Sequence, residues 1–175
     1  MTESAAAVLA HPAVARVRAA LAAHDVTSEV VVLDGAARTA AQAAAYLGVI
    51  PAQIANSLVF VVTRTPGAAP EPLLVLASGA HRVDTAKVAG LLELEGVDGV
   101  DGLALADAGL VRESTGFVIG GVAPVGHLRP VRTLVDVSLA RYDTVWAAAG
   151  HPNAVFATTY DELLRITGGQ PIEAA

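Results

Sequence analysis

Gly116-Phe117-Val118-Ile119-Gly120-Gly121-Val122-Ala123-Pro124-Val125-Gly126-His127 is the stretch on which the reading of this 175-residue chain turns. Phe117-Val118-Ile119 is a short apolar run of the kind that forms a buried strand. It breaks into Gly120-Gly121, and Pro124 and Gly126 then stiffen and turn the chain again. Glycine reaches φ > 0 and lets a backbone approach a ligand closely, whereas proline fixes φ and removes a donor. A loop built this way presents N–H groups from Gly120 and Gly121, with His127 at its far end. Such groups suit a phosphate, a carboxylate or a developing oxyanion. The same residues equally describe a tight strand-to-loop turn with no ligand. The spacing is neither G-x-G-x-x-G nor a Walker sequence, so a nucleotide-binding fold gains no support.

Outward from this loop the chain alternates short elements. Towards the N-terminus, the spacing predicts an amphipathic helix over residues 4–23, interrupted or restarted at His11-Pro12. A β-branched strand is expected over 28–33. Thr39-Ala40-Ala41-Gln42 has the spacing of a capping box and should open a helix to Leu47, stopped by Gly48, with Pro51 opening the next turn. Residues 57–63 read as the clearest buried strand. A Pro/Gly-rich loop (66–72) joins it to a second strand (73–77) in an antiparallel hairpin. Residues 78–82 read as a turn, after which Asp84 caps a helix to about Leu94. A brief strand (103–106) and a short helix (106–113) lead into the Gly-Gly loop. Beyond it, residues 131–137, 144–149 and 154–158 read as strands. Thr159-Tyr160-Asp161-Glu162 opens a last helix, stopped by Gly168-Gly169. Helices and strands mix without a regular βαβ rhythm, which predicts an α+β domain with a mixed sheet rather than a Rossmann fold. No linker divides the chain, so one domain over 1–175 is expected, with a core at about 26–168 and the N-terminal helix at 4–24.

Composition narrows the function classes. Apolar residues make up 54% and aromatics only 4%, so the core must be aliphatic. No apolar run approaches the roughly 20 residues of a membrane span, and no signal-peptide pattern is readable, so a cytoplasmic protein is expected. With no cysteine there is no disulfide, thiolate metal site or cysteine nucleophile. The net charge of −6 counts against a generic nucleic-acid binder but leaves room for a local basic patch. The five histidines show no H-E-x-x-H or tight His/Asp spacing, so no metal and no cofactor is expected.

Four stretches, in order, together resemble the family of YbaK and the prolyl-tRNA-synthetase editing domain. They are Gln53-Ile54-Ala55-Asn56-Ser57-Leu58-Val59-Phe60, Ser78-Gly79-Ala80-His81-Arg82-Val83-Asp84, Gly120 through His127, and Ala149-Gly150-His151-Pro152-Asn153. The resemblance implies a mixed, partly barrel-like β-sheet flanked by helices, with one pocket for the 3′ end of a mischarged tRNA and, as a further partner, an aminoacyl-tRNA synthetase. It implies hydrolysis of the aminoacyl ester, with the carbonyl held by the Gly120-Gly121 loop. The water is activated largely by the substrate's ribose hydroxyl. Many relatives carry lysine where this chain has Asn56, which hydrogen-bonds but brings no charge. A non-catalytic relative that binds a tRNA end, a synthetase or a small amino-acid-like ligand in the same pocket is the alternative. Ala123, where a second proline is common, should only soften the loop.

The resemblance makes Gly120, Gly121 and Asn56 the catalytic candidates. Substrate-binding candidates are Ser57, Ser78, Gly79, Pro124, His127, Gly150, His151 and Asn153. Ser57 also reads as a capping or turn residue, and no His-Asp partner makes it a nucleophile. His127 reads as a pocket or loop-locking residue and His151 as pocket lining, the side-chain pocket being assembled from 30–33, Ser57 and His151. His81, Arg82 and Lys87 are weaker candidates for tRNA contact. For them a solvated turn or a surface salt bridge is the simpler account.

Overall fold

A computed structural model of the protein describes residues 3–64, 69–94 and 99–175. Its elements run α1 (Ala5–Ala10), α2 (Pro12–Ala23), β1 (Val30–Val32), α3 (Ala40–Leu47), β2 (Ile54–Arg64), β3 (Glu71–Ser78), α4 (Thr85–Leu94), β4 (Val100–Leu105), α5 (Ala108–Thr115), β5 (Arg132–Asp136), β6 (Val145–His151), β7 (Ala154–Thr158), α6 (Tyr160–Thr167) and β8 (Gln170–Ile172). The eight strands form one mixed sheet in the order β1-β7-β6-β2-β3-β5-β8, with β4 also on β2. The α+β, mixed-sheet expectation holds, and the sheet curls into a half-barrel flanked by six helices.

Strand β2 organises the sheet. One edge pairs with β3, antiparallel, from Ala55 opposite Ser78 to Val62 opposite Glu71. The other edge changes partner along its length. Ile54 and Ala55 run parallel to Trp146 and Ala147 of β6, while Phe60 to Arg64 run antiparallel to β4. Strand twist carries the edge of so long a strand through a large angle, so no single neighbour follows it throughout. Between the two partners, residues 56–58 have no strand beside them on that edge among the described residues.

Both faces of the central hairpin are covered, so β3 reads as a continuous apolar run rather than an alternation. Leu74 and Leu76 pack inward with Val14, Val17 and Leu21 of α2 and with Phe117 and Phe156. Leu73 and Val75 turn to the opposite face with Phe60, Val62 and the α4 residues Val88 and Leu92. A smaller cluster, Leu33, Ala43, Ala44, Ile54 and Val155, seats α3 against the sheet.

The punctuation read from the sequence sets most element ends. His11 breaks the first helix in two and caps α2, its Nδ1 accepting from Ala13 N at 3.2 Å. Thr39 caps α3 and Thr159 caps α6, and Gly48 and Gly168 end those helices at φ of 69° and 62°. In neither helix does the third residue complete a capping box. Gln42 Oε1 accepts from Arg38 N, and Glu162 Oε1 from Thr158 Oγ1. Asp84 caps α4 through Lys87 N. Residues 66–68 of the expected Pro/Gly loop lie outside the described residues, while Glu71 and Pro72 belong to β3.

One expectation needs correction, and one strand lies where none was expected. Residues 117–119 form no strand: Phe117 N–H donates to Thr115 Oγ1, and Gly121 N–H donates to Val118 O, closing a turn. With its donors engaged locally, the segment joins no ladder; Phe117 alone is buried, and Ile119 is 60% exposed. Strand β8 had no signal, because Pro171 argues against a strand except at an edge. An edge is where it lies, parallel to β5.

Candidate functional site

The break in the pairing of β2 opens a cavity of about 460 Å³. Its floor is residues 54–58 of β2, one wall is Trp146, Ala147 and Ala148 of β6, and another is residues 37–41 at the start of α3. Gly79, the loop residues Ile119, Gly120 and Val122, and Ala43, Pro152, Ala154 and Val155 complete the lining. Four of the residues expected at the site therefore meet there: Asn56, Ser57, Gly79 and Gly120. The Ser57 hydroxyl oxygen is buried and has no hydrogen-bond partner among the described residues. An unsatisfied buried hydroxyl costs about 1–3 kcal/mol, so this group is set up to bond whatever enters.

The glycines fit their places for different reasons. Gly79 N–H donates to Ile54 O, and a Cβ there would stand 2.5 Å from both Ala40 Cβ and Pro51 O. Gly120 sits at φ +91° with open space around it, third in the turn closed by Gly121 N–H and Val118 O. That bond alters the expected role of Gly121, whose N–H is engaged within the loop. No acceptor among the described residues meets the N–H of Gly120 or Val122, and both line the cavity.

Arg16 of α2 holds the loop from behind. Its Nε donates to Gly126 O at 2.7 Å, one terminal N–H donates to Gly116 O at 3.1 Å, and the guanidinium lies 4.7 Å from the Phe117 ring centroid. His127 does not line the cavity. Its Nε2 donates to Ala123 O at 2.7 Å, and burial, aided by the Arg16 charge, lowers its pKa against that hydrogen bond, so the ring is held neutral. Removing the clasp should loosen both ends of the loop. Arg16→Met, which keeps the stem, is expected to destabilise the fold by about 2 kcal/mol through loss of two charge-assisted bonds. Chemical denaturation measures this; a change below about 0.5 kcal/mol would mean that the loop stands without Arg16.

Asp136, at the end of β5 and fully buried, fixes the opposite wall. One oxygen accepts from Ser78 N at 3.0 Å and lies 2.6 Å from His81 Nε2, while the other accepts from Ser138 N at 3.0 Å. Burial raises its pKa, but the two backbone donors and His81 together outweigh burial and hold it below the usual value. His81 is thus a partner of Asp136 and Ser78 a buried lock, its hydroxyl donating to Ala52 O. Lys87 is tied to Glu173 and the Ala175 carbonyl, leaving Arg82 exposed on the turn.

In the fourth motif Pro152 lines the cavity and the neighbouring residues brace it. His151 does not line the cavity; its Nε2 lies 3.0 Å from Glu3 Oε2 and its Nδ1 accepts from Asn153 N, with His11 packed edge-on. Gly150, at φ +97°, lies against the Ala13 backbone, and the His151 backbone lies under Gly121. Gly121, Ser78, Pro124, His127, Gly150, His151, Asn153, His81, Arg82 and Lys87 are not among the lining residues, nor are 30–33. Trp146, Arg38 and Thr39 do line it, although no site role was read for them in the sequence. Arg38 was detectable only as the residue before a helix cap, and Trp146 only as the single tryptophan.

Comparison with known proteins matches residues 34–166 to the aminoacyl-tRNA editing domain family. The uncharacterized protein YwhH of Bacillus subtilis (strain 168) is 30% identical over 136 residues, covering 78% of this chain and 79% of that one. Among solved structures, a candidate trans-editing enzyme for prolyl tRNA synthetase is 40% identical with a TM-score of 0.77, over 93% of this chain and 96% of that one. Hypothetical protein APE2540 is 28% identical with a TM-score of 0.73, over 89% and 96%. The matched span runs from just before α3 into α6 and holds the Gly-Gly loop and every described residue that lines the cavity, and the chain belongs to the aminoacyl-tRNA editing domain family.

Proposed function

We propose that this protein is a trans-acting deacylase that hydrolyses the ester between a wrongly attached amino acid and the 3′-terminal adenosine of a tRNA. The cavity takes the aminoacyl end. The unmatched N–H groups of Gly120 and Val122 receive the ester carbonyl oxygen as it gains negative charge, an arrangement worth about 3 kcal/mol per donor. Ser57 and Asn56 supply neutral hydrogen bonds that orient the substrate.

The observation that carries this reading is the lining itself. Residues with unmatched backbone donors, and Ser57 with its orphan buried hydroxyl, line a cavity with no histidine or carboxylate among its described lining residues. A base must stand within hydrogen-bond reach of the proton it takes, and the chain offers none there. This suits the role that the family resemblance gives to the ribose hydroxyl next to the ester, which polarises the water. Water adds to the carbonyl carbon, the carbon–oxygen bond to the ribose breaks, and the proton passes to the departing ribose oxygen. The products are a free amino acid and an uncharged tRNA end.

Single-turnover hydrolysis with a panel of mischarged tRNAs tests the proposal, using wild type, Gly120→Ala and Asn56→Lys. Wild type is expected to release one or a few amino acids well above the spontaneous rate, and Gly120→Ala to lower that rate about tenfold through strain at φ +91°. Asn56 favours a second reading, a relative that binds the tRNA end without turnover. Saturable binding with no hydrolysis by either wild type or Asn56→Lys would replace the first reading with this one.

A further inference from the structure

The geometry points to Arg38 as the residue that binds the phosphate of the substrate's terminal nucleotide, an inference that takes the ligand's identity from the editing reading above. Among the described residues lining the cavity, Arg38 is the one that carries a charge; the others are alanines, apolar side chains, glycines, Thr39, Asn56, Ser57 and Pro152. Its side chain is exposed, and no carboxylate among the described residues pairs with it. Most cations elsewhere that touch an acid are engaged at the surface, as Arg64 with Glu71, Lys87 with Glu173 and Arg129 with Glu113.

The backbone that carries Arg38 is fixed. Its N–H donates to Gln42 Oε1 at 2.8 Å, while Gln42 N–H donates to Thr39 Oγ1 at 3.1 Å. Gln42 thus straps residues 38–42 into one unit that forms the cavity wall. Beyond that strap, the Arg38 side chain is exposed and makes no hydrogen bond or ion pair among the described residues.

The chemistry of the ligand then selects the contact. An esterified amino acid has no carboxylate and carries a positive ammonium, so the one anion on an aminoacylated adenosine is its 5′ phosphodiester. A guanidinium matches phosphate oxygens with two parallel donors. In a chain of net charge −6, approach of a polyanion to this mouth needs a local cation. With Asn56 neutral on the floor, Arg38 supplies it from the wall.

Binding of 5′-AMP and of adenosine to wild type, Arg38→Gln and Arg38→Lys, followed by NMR titration, tests the inference without requiring turnover. Wild type should bind 5′-AMP about tenfold or more tighter than adenosine, the range of a charge-assisted bond. Arg38→Gln should erase that preference and leave adenosine affinity unchanged, and Arg38→Lys should restore part of it. In hydrolysis of a substrate tRNA, Arg38→Gln should raise KM with kcat near wild type. It should also flatten the dependence of log kcat/KM on log salt by about 0.7, one single-strand phosphate. An AMP preference that persists in Arg38→Gln, or is absent in wild type, overturns the inference, as does equal weakening of both ligands, which marks a merely structural role. An AMP preference without hydrolysis would defeat the deacylase reading and leave Arg38 standing; hydrolysis without the preference would do the reverse.

Discussion

Asp136→Ala should lower the stability of the fold by about 3 kcal/mol, the scale for breaking a buried, hydrogen-bonded charge. In a chain of this length that corresponds to a fall in Tm on the order of 10 °C. The substitution removes the acceptor of Ser78 N–H and Ser138 N–H and leaves His81 without its partner. The Ser78 N–H would then be buried unmatched, which folded chains avoid, and the half-buried Ser138 N–H would lose its acceptor. Because Gly79 follows Ser78 into the cavity lining, substrate affinity should suffer as well. Acid should imitate the mutation. The carboxyl of Asp136 is held below its usual pKa, so its contribution is complete above about pH 4, the unfolded value, and disappears as pH falls from there through the depressed one. Wild type should therefore lose stability in that window faster than Asp136→Ala does. Thermal denaturation of both proteins between pH 2 and pH 7 measures the two effects; parallel curves, or a loss of Tm under roughly 2 °C, would remove Asp136 as the anchor of this wall.

Gly121→Ala should reduce hydrolysis about a hundredfold, more than Gly120→Ala, although Gly121 donates nothing to substrate. A Cβ at Gly121 would stand 3.0 Å from the N, Cα and C atoms of His151. Backbone on both sides leaves no flexible side chain to yield, so the loop must lift. Lifting moves the N–H groups of Gly120 and Val122, and a misplacement near 1 Å can cost about a hundredfold in rate. At Gly120 the added methyl meets open space, and only backbone strain at φ +91° is felt. The loss should appear in kcat rather than KM, because a carbonyl-holding donor acts most in the transition state. Rates of Gly121→Ala within threefold of wild type would mean that the Gly-Gly loop does not hold the reacting carbonyl.

The parts of this protein that were legible in the sequence are those governed by short-range physics. Thr39, Asp84 and Thr159 announce helix starts because their oxygens reach a backbone N–H three residues on, and Gly48 and Gly168 announce ends because they reach φ > 0. Residues 57–63 and 73–77 announce buried strands by composition alone. The ordered motifs around Asn56, Gly79, Gly120 and Gly150 were enough to name the family. Residues 117–119 misled because an apolar run carries no sign that Thr115, Val118 and Arg16 will take up its hydrogen bonds and direct its path.

The composition of the cavity belongs to the tertiary structure. Whether a motif residue faces ligand or supports the wall depends on where β2 leaves β6 for β4, and that divergence is a property of the twisted sheet. It brings Arg38 and Trp146, 108 positions apart (146 − 38), into one lining. His151 instead meets Glu3 and His127 bonds Ala123, and neither lines the cavity. Local sequence determined the elements, the loop and the family. Long-range packing, which no short window records, decided which side chains stand at the mouth and which hold it open.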